Sequence, residues 1–397
     1  MSHLSPVSLR VVKQEWAERV VSPAYDAMTP STRREWATKN EDSYLNVTRS
    51  PEDLPFGDKV SAVDLAELGR ESLERILAKG AFGDLGDPAV YVYQLQTLGH
   101  TQTAVLSTLD ADDFDDGVHF HEETRPGRVE MLAQHLATVG HSSSPVALAF
   151  RSSEQVQTAM EDVVQAQPLV EFVSENAVRH CVWRASPDDA AVLVTALDDT
   201  EVFLLDGHHR VGAAIWQKRQ GRPSAVLVAA FPDHQLQVLP IDRWLALADR
   251  APDDILDAIG AKFAVEAIAA SSLHQARPTS PGSVAMWLGQ RWYSVDLATP
   301  SELSLGDSLD VVRLRDRILV PLLGARDVDL VYLPDVGNGE LERRCLEEPN
   351  SIAFVMAPMP LGDLFGVARS GEMLPPKSTF FHPKVRSGLF LMPMAEN

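Results

Sequence analysis

Residues 206–210, with the sequence Asp-Gly-His-His-Arg, place a carboxylate, two imidazoles and a guanidinium in a single turn. An apolar run over 202–205 precedes them and a helix-like stretch begins at Val211, so the pattern predicts a buried strand that turns into a helix. The first N–H groups of a helix have no partner within it and lie at the positive end of the helix dipole. Anions, and phosphate above all, bind at such positions. The turn is therefore predicted to bind phosphate.

A purely structural role for this turn is the simpler alternative. Asp206 could accept hydrogen bonds from the first N–H groups of the helix as its cap, with His208 and His209 packed against neighbouring side chains. An isolated Asp-Gly pair would favour that interpretation. Two histidines and an arginine beside it favour a site.

A second cluster covers residues 118–128, Val-His-Phe-His-Glu-Glu-Thr-Arg-Pro-Gly-Arg. His121 and Glu122 resemble the start of the zinc-protease motif His-Glu-x-x-His, but Arg125 stands where the second histidine would be, and the Pro-Gly that follows breaks a helix. This excludes a zinc protease of that class. What remains is a loop with a carboxylate, a hydroxyl and two guanidiniums, including that of Arg128, just before a helix. A salt-bridged surface loop is the alternative.

A third cluster covers residues 375–384, Pro-Pro-Lys-Ser-Thr-Phe-Phe-His-Pro-Lys. Lys377 and Ser378 resemble the end of a P-loop, but the glycines of Gly-x-x-x-x-Gly-Lys-Ser/Thr are missing, so a Walker A site is not supported. The prolines on both sides predict a rigid extended segment that delivers Lys377 or Lys384 to a site built elsewhere. An ordered strand with solvent-facing lysines is the alternative.

Composition and charge restrict the class of protein further. A chain of 397 residues is long enough for two or three domains, and a hydrophobic fraction of 45% is enough for a real core. The net charge of −21 disfavours binding to nucleic acid or to membrane surfaces. Two cysteines far apart in the sequence predict reduced, buried thiols. Because neither a signal peptide nor an apolar run of membrane-spanning length is visible, we expect a cytoplasmic protein.

Strand and helix signals mix along the chain without strict alternation. This predicts an α/β fold with a mixed sheet and α+β character, not a doubly wound sheet. Expected strands include 146–150, 191–194 and 202–205, and expected helices include 129–139 and 211–219. The Ser/Pro/Gly-rich residues 277–283 lie in the preferred boundary region. We expect a nucleotide-binding region with an N-terminal extension at 1–250 and a smaller C-terminal α/β region at 251–397.

The mixture of side chains indicates the chemistry better than any one cluster. Arginines, lysines and helix-start amides bind phosphate. Carboxylates hold Mg²⁺ or accept a hydroxyl proton, and phosphoryl transfer depends mostly on positioning and charge neutralisation. The residues alone favour a nucleotide or phosphate site. A metal-dependent hydrolase that uses His121, His208 and His209 is the second hypothesis.

The three clusters, in this order, resemble the bacterial and archaeal family called domain of unknown function 1015. The resemblance extends over nearly the whole chain. It also rests on Ser-Pro-Ala-Tyr-Asp at 22–26, on Asn-Val-Thr at 46–48 and on Ser144-Pro145.

The Asp-Gly-His-His-Arg turn of that family is similar to the nucleotide-binding turn of the ParB and sulfiredoxin superfamily, which includes an archaeal free-serine kinase. The resemblance implies a ParB/sulfiredoxin-like core with insertions, and ATP or ADP with Mg²⁺ as cofactor. The implied catalytic residues are Glu122, Asp206 and His209, and the implied metal ligands are Glu122 and Asp206. The implied nucleotide-binding residues are Gly207, His208, His209, Arg210, Arg128, Lys377, Ser378 and Lys384.

Residues and resemblance together predict a nucleotide- and Mg²⁺-dependent kinase that phosphorylates a small hydroxylated metabolite, with free serine as the first candidate. A non-catalytic nucleotide-binding regulatory protein and a metal-dependent hydrolase are the alternatives. The expected partners are a nucleotide and a small-molecule substrate, without nucleic acid or membrane. ParB proteins bind DNA through a separate helix-turn-helix domain, and the charge of this chain has the wrong sign. The oligomeric state is open, with a homodimer as one option.

Overall fold

The structure is a computed structural model that describes residues 3–54, 59–222, 225–297 and 303–394. Its helices are α1 (Ala17–Val20), α2 (Pro30–Lys39), α3 (Ala62–Ala78), α4 (Asp113–Asp116), α5 (Pro126–Val139), α6 (Glu154–Val163), α7 (Pro187–Leu193), α8 (His208–Arg219), α9 (Pro252–Gly260), α10 (Leu273–Ala276), α11 (Leu305–Ser308), α12 (Asp310–Leu314), α13 (Glu340–Glu347) and α14 (Leu361–Ser370).

The strands range from two to eleven residues in length. They are β1 (Arg10–Val11), β2 (Tyr91–Thr97), β3 (His100–Asp110), β4 (Val118–His119), β5 (His141–Ser142), β6 (Val146–Phe150), β7 (Val170–Val173), β8 (Arg179–Arg184), β9 (Val202–Asp206), β10 (Ala225–Pro232), β11 (Val238–Leu239), β12 (Ile241–Ala246), β13 (Val265–Ile268), β14 (Ser283–Leu288), β15 (Arg291–Asp296), β16 (Val331–Pro334), β17 (Ser351–Met356), β18 (Phe380–Phe381) and β19 (Phe390–Pro393).

The chain divides into two compact units. The first consists of Met1–Phe120, Thr124–Leu236 and Pro383–Asn397, and the second of His121–Glu123 and Gln237–His382. The domain division expected between residues 250 and 251 stays a prediction.

An eight-stranded sheet in the order β4-β9-β6-β10-β3-β2-β8-β7 forms the centre of the first unit. The pairs β4–β9 and β6–β10 are parallel, and the remaining neighbours are antiparallel. This confirms the predicted α/β fold with a mixed sheet. A smaller antiparallel sheet, β1-β19-β5, belongs to the same unit.

The core of the first unit lies against the central strands of this sheet. Strand β6 is buried along its whole length, and β9 is buried up to its last residue. Helices α6, α7 and α8 contribute Met160, Leu193 and Val211 to the same hydrophobic cluster. Because burial on this scale is the main stabilising contribution to a fold, the end of β9 is held at a fixed position.

Residues 191–194, predicted as a strand, instead lie in and just after helix α7. The side chain of Ser186 accepts a hydrogen bond from the backbone N–H of Asp189, at 3.2 Å, and Pro187 occupies the first helical position. A serine cap followed by proline is a strong start signal for a helix. The strand prediction was wrong because a short apolar run does not by itself distinguish a strand from a helix.

The second unit contains a six-stranded antiparallel sheet in the order β13-β15-β14-β17-β12-β16, and the two-stranded pair β11–β18. Its hydrophobic cluster includes Trp244, Trp292 and Val355. Strand β12 and helix α13 were not predicted.

No helix in the described ranges combines the length and the hydrophobicity needed to cross a lipid bilayer. The cytoplasmic location and the homodimer stay predictions.

Candidate functional site

The predicted strand-to-helix turn is present in the first unit. Strand β9 ends at Asp206, Gly207 adopts a left-handed conformation with φ of +106°, and α8 begins at His208. A Cβ added to Gly207 would lie 3.0 Å from Cγ2 of Val146 and 3.1 Å from Nε of Arg210. Both the positive φ and the lack of space require glycine at this position.

A bulge in the sheet directly precedes the turn. Asp206 pairs with Ala147 and Leu204 pairs with Leu148, which is the next residue of β6. Leu205 therefore has no residue opposite it on β6. A bulge changes the direction in which the following side chains leave the sheet, and bulges are frequent next to functional sites. The orientation of the Asp206 side chain therefore depends on an irregularity that alternation of apolar residues does not reveal.

The Asp206 carboxylate lies between two cations. Its Oδ2 accepts a hydrogen bond from Nη2 of Arg210 at 2.9 Å, and its Oδ1 lies 3.3 Å from Nζ of Lys384. The Asp206 side chain is 28% exposed and that of Lys384 is 12% exposed. Gly207, and not Asp206, occupies the N-cap position of α8. Asp206 is thus a partly accessible carboxylate held by opposite charges.

Arg210 connects the turn to the segment between β5 and β6. Its Nη1 donates to the carbonyl oxygens of Ser144 and Pro145, at 2.9 and 2.6 Å. With the bond to Asp206, the guanidinium thus has three acceptors within the protein. These contacts fix the backbone at Ser144-Pro145 next to the turn. A direct contact of Arg210 with phosphate stays a prediction.

Helix α5 begins beside the start of α8. The backbone N–H of Arg125, the N-cap of α5, donates to Nε2 of His209 at 3.1 Å. A Cβ added to Gly212 in α8 would lie 3.0 Å from Cγ2 of Val129 and 3.8 Å from Cγ2 of Thr124. The first turns of the two helices are therefore neighbours. Because Nε2 of His209 accepts this bond, the neutral imidazole carries its proton on Nδ1.

Neither of these two helices has a side-chain cap at its N-terminus, a property that they share with the four-residue helices α1 and α4 of the same unit. Serine or threonine side chains accept a backbone hydrogen bond at the starts of four helices: α2 (Thr29), α3 (Ser61), α6 (Ser153) and α7 (Ser186). The N-caps of α5 and α8 are arginine and glycine, which have no side-chain oxygen. Besides side-chain caps, water and anionic ligands can satisfy the amides at the start of a helix.

Arg128 was expected in a loop before the helix but lies in the first turn of α5. Pro126 begins this helix because proline is favoured at the first helical position, where no N–H is needed. The side chains of Arg125 and Arg128 are exposed, and they add positive charge to the region where α5 and α8 begin.

The two histidines of the turn occupy different environments. His208 is buried, and its ring packs edge-on against Phe120 with the ring centroids 6.0 Å apart. His209 is only partly buried and contacts the start of α5. The group of His208 that lies at the start of α8 is therefore its backbone amide, because its imidazole packs against Phe120.

Other predicted site residues lie in the second unit. The carbonyl of His121 accepts from the backbone N–H of Leu374 at 2.8 Å, and Glu122 forms a parallel bridge with the same residue. Nε2 of His121 lies 3.4 Å from Oγ1 of Thr379. The structure thus joins part of the second cluster to part of the third.

A buried arginine supports the third cluster. Nη2 of Arg243 donates to the carbonyl of Lys377 at 3.0 Å, and Lys377 has a φ of +62°. Burial lowers the pKa of Arg243 to about 10, so the guanidinium remains charged at neutral pH. The hydroxyl of Ser378 donates to the carbonyl of Pro375 at 2.6 Å. Sequence reasoning missed Arg243, whose signal was the charged pair Asp242-Arg243 inside an otherwise apolar strand.

Within the described part of the chain, no group of three or more His, Cys, Asp or Glu side chains is arranged to hold a metal ion.

Comparison with known proteins identifies a family and distant structural neighbours. Residues 6–312 match the family described as protein of unknown function (DUF1015). Among curated proteins, none is similar enough to count as a relative.

Three solved structures that match the chain are distant from it in sequence. A mutant free serine kinase in complex with ADP is 12% identical, with a TM-score of 0.37, and the match covers 70% of this chain and 87% of that one. A conserved hypothetical protein from Pyrococcus furiosus is 13% identical, with a TM-score of 0.37 and coverage of 73% and 94%. SbnI from Staphylococcus aureus, truncated at its C-terminus, is 11% identical, with a TM-score of 0.37 and coverage of 70% and 84%. Similarity at this level does not indicate a function.

Proposed function

The chain belongs to the DUF1015 family of proteins of unknown function, and we propose that it binds the phosphate groups of a nucleotide where α5 and α8 begin. The observation that supports this most is the convergence of two helix starts, with the backbone N–H of Arg125 3.1 Å from the imidazole of His209. Each helix start carries a partial charge of roughly +0.5. Two such ends in one place attract an anion more strongly than either would alone.

Cationic side chains add to this attraction. Lys384 is held at the turn by Asp206, and Arg125 and Arg128 are exposed at the start of α5. The chain as a whole carries a net charge of −21, which repels anions. Because the chain as a whole repels a nucleotide, its phosphates must be attracted by a local cluster of positive charge, and these cations form one.

The groups of the turn differ in what they do: some bind phosphate, one positions its neighbours and one is suited to bind Mg²⁺. The amides of Gly207, His208 and His209 and the ammonium of Lys384 hold phosphate oxygens. Arg210 positions Asp206 and the turn at Ser144. Asp206 is a suitable ligand for Mg²⁺, which is commonly bound by one or two carboxylates together with substrate phosphates and water. The ion would neutralise phosphate charge when bound.

At the finer level, we propose transfer of a phosphoryl group from the nucleotide to the hydroxyl of a small metabolite such as free serine. The bond between phosphorus and the leaving phosphate oxygen breaks, and a bond between phosphorus and the hydroxyl oxygen forms. The hydroxyl proton passes to a carboxylate, for which Asp206 is the candidate in the first unit. His209 lies at the phosphate end and orients the transferred group. The proposal of phosphoryl transfer rests on the resemblance of the sequence pattern to the superfamily that includes the free-serine kinase.

Replacement of one lysine tests the binding site. We expect Lys384→Met to weaken ADP binding about tenfold or more, since a charge-assisted hydrogen bond contributes about 1.5–3 kcal/mol. Lys218→Met is the matched control, because Lys218 forms ion pairs with Asp110 and Asp112 in the same unit and lies at the opposite end of α8. Isothermal titration calorimetry of both variants and of the unaltered protein measures the difference.

The same proteins test the chemistry. Thermal shift with ATP, ADP and pyrophosphate, each with and without Mg²⁺ and serine, detects binding through the gain in stability. ³¹P NMR of a mixture with nucleotide and serine would detect a phosphomonoester product. Binding without product would support a regulatory protein and refute the kinase. Equal ADP affinity of Lys384→Met and Lys218→Met would refute the proposed binding site.

A further inference from the structure

The segment that carries Lys384 is anchored at several points in the first unit. A few residues further on, β19 pairs with β1 on one side, where Leu391 faces Arg10, and with β5 on the other, where Met392 faces Ser142. A strand between two neighbours has both of its backbone edges paired. The pairing of β19 therefore makes this segment part of the first unit, independently of any contact of Lys384.

Gly388 fixes the position of the segment along its path. Its φ is +87°, and an added Cβ would lie 2.6 Å from Cβ of Tyr44 and 2.9 Å from the carbonyl oxygen of Val20. Its N–H donates to Oγ of Ser143 at 2.7 Å, and that hydroxyl donates to the carbonyl of Phe390 at 2.6 Å. The backbone at Gly388 cannot move without losing these contacts.

Arg386 is the anchor nearest to Lys384 and is 2% exposed. Its Nη2 donates to Oδ1 of Asn176 at 2.7 Å, and its Nη1 lies 3.1 Å from Oε1 of Glu175 and 3.4 Å from the carbonyl of Ser22. A buried guanidinium is costly unless it is paired and hydrogen-bonded, and these contacts provide both.

Ser387 completes the connection to the turn. Its carbonyl accepts from the backbone N–H of Ser22 at 2.9 Å, and its hydroxyl contacts the hydroxyl of Ser144. The carbonyl of Ser144 is one of the acceptors of Arg210. Contacts therefore run without a break from the segment after Lys384 to the residue that holds Asp206.

We propose that Arg386 is a positioning residue for the phosphate site. It fixes the backbone two residues after Lys384, so that the lysine ammonium is held at Asp206, where it meets the phosphate. Without this anchor the backbone that carries Lys384 would lose conformational entropy each time the ammonium reached the site. The inference rests on the proposed function for its link to the nucleotide, whereas the placement of Lys384 can be tested separately.

The placement is tested by NMR of protein whose lysines carry ¹³C-methyl groups introduced by reductive methylation, which keeps the charge. The signal of Lys384 is identified by its absence from Lys384→Arg. Asp206→Asn should move this signal toward the position of exposed lysines, because the partner charge is lost. We expect Arg386→Met to move it in the same direction.

Arg33→Met is the matched control for the loss of a buried arginine. Arg33 is 4% exposed in the same unit and bonds to Asp53 and Glu52, away from the segment. This variant should lose stability but leave the Lys384 signal in place. Asn176→Ala removes a single contact of Arg386 and should give a smaller shift of the same kind if Arg386→Met does not fold. An unmoved signal in both Arg386→Met and Asn176→Ala would overturn the proposal.

Titration with ADP then connects the placement to binding. If Arg386 acts through Lys384, the double variant Lys384→Met/Arg386→Met should bind ADP as weakly as Lys384→Met alone, within about twofold, since coupled residues are not additive. Additive losses would contradict the positioning role. If the unaltered protein does not bind ADP, the proposed function fails, and the NMR comparison still decides whether Arg386 places Lys384.

Discussion

Gly207 is the residue on which the geometry of the turn most directly depends. Gly207→Ala should destabilise the protein, because the left-handed backbone costs about 1–2 kcal/mol and the new Cβ would press against Val146. Gly221→Ala is the control, since Gly221 also has a positive φ, of +76°, and no described atom lies within 4 Å of its added Cβ. Urea unfolding should show the larger loss for Gly207→Ala. Equal losses would mean that close packing at the turn is unimportant.

At this scale the sequence predicted the chemical groups better than their partners. The turn and its glycine follow from residue types and spacing, which left open whether Lys377 or Lys384 would reach a site. The bonds from Arg210 to two carbonyls and the burial of His208 do not, because they depend on which loop and which ring pack beside the turn. Those neighbours are more than fifty residues away in the sequence.

Helices α3 and α5 pack so closely that only glycine fits at one contact. A Cβ added to Gly69 would lie 2.6 Å from the carbonyl of Val47 and 3.1 Å from Cε1 of His135. Burial lowers the pKa of His135 to about 4, from an ordinary value of 6.5. The neutral imidazole is therefore the form that is compatible with this contact.

This contact predicts a pH dependence of stability. Because the folded-state pKa of His135 is below the unfolded value, its contribution is present above pH 6.5 and is lost as the pH falls toward 4. The expected loss is at most about 3 kcal/mol, at 1.36 kcal/mol for each pKa unit. His135→Gln should show a flatter pH profile in denaturant unfolding than the unaltered protein. Parallel profiles would show that His135 does not titrate in this way.

Another buried histidine acts in the same direction. Burial, with a smaller contribution from Arg386, lowers the pKa of His180 well below its ordinary value. His135→Gln should therefore retain part of the pH dependence that the unaltered protein shows.

Strands β6 and β9 beside the turn could be predicted from periodicity, whereas two other elements depart from the prediction for identifiable physical causes. The strand predicted at 191–194 is part of a helix because the Ser186 cap and Pro187 start α7 before the apolar run begins. Helix α5 starts earlier than its apolar pattern suggests, because Pro126 is favoured at the first helical position. In both cases capping residues, and not hydrophobic spacing, decide where the element starts.

The arrangement of the whole molecule was less predictable than its elements. The second cluster changes unit after Phe120 and again after Glu123, and the third changes unit after His382. Lys377 and Lys384, seven residues apart, thus belong to different units. This membership depends on pairings across the chain, such as β19 with β1, which local sequence does not encode.

At the scale of the whole molecule, the proposed function requires that phosphate binds to the amides at the start of α8. Protein labelled with ¹⁵N only at its 12 histidines reports on this directly, because two of them occupy the first positions of that helix. His208→Gln and His209→Gln identify the two amide signals. On addition of ADP, these two signals should move most, while that of His274 in the second unit stays in place. Unchanged signals of His208 and His209 at saturating ADP would contradict the proposed function.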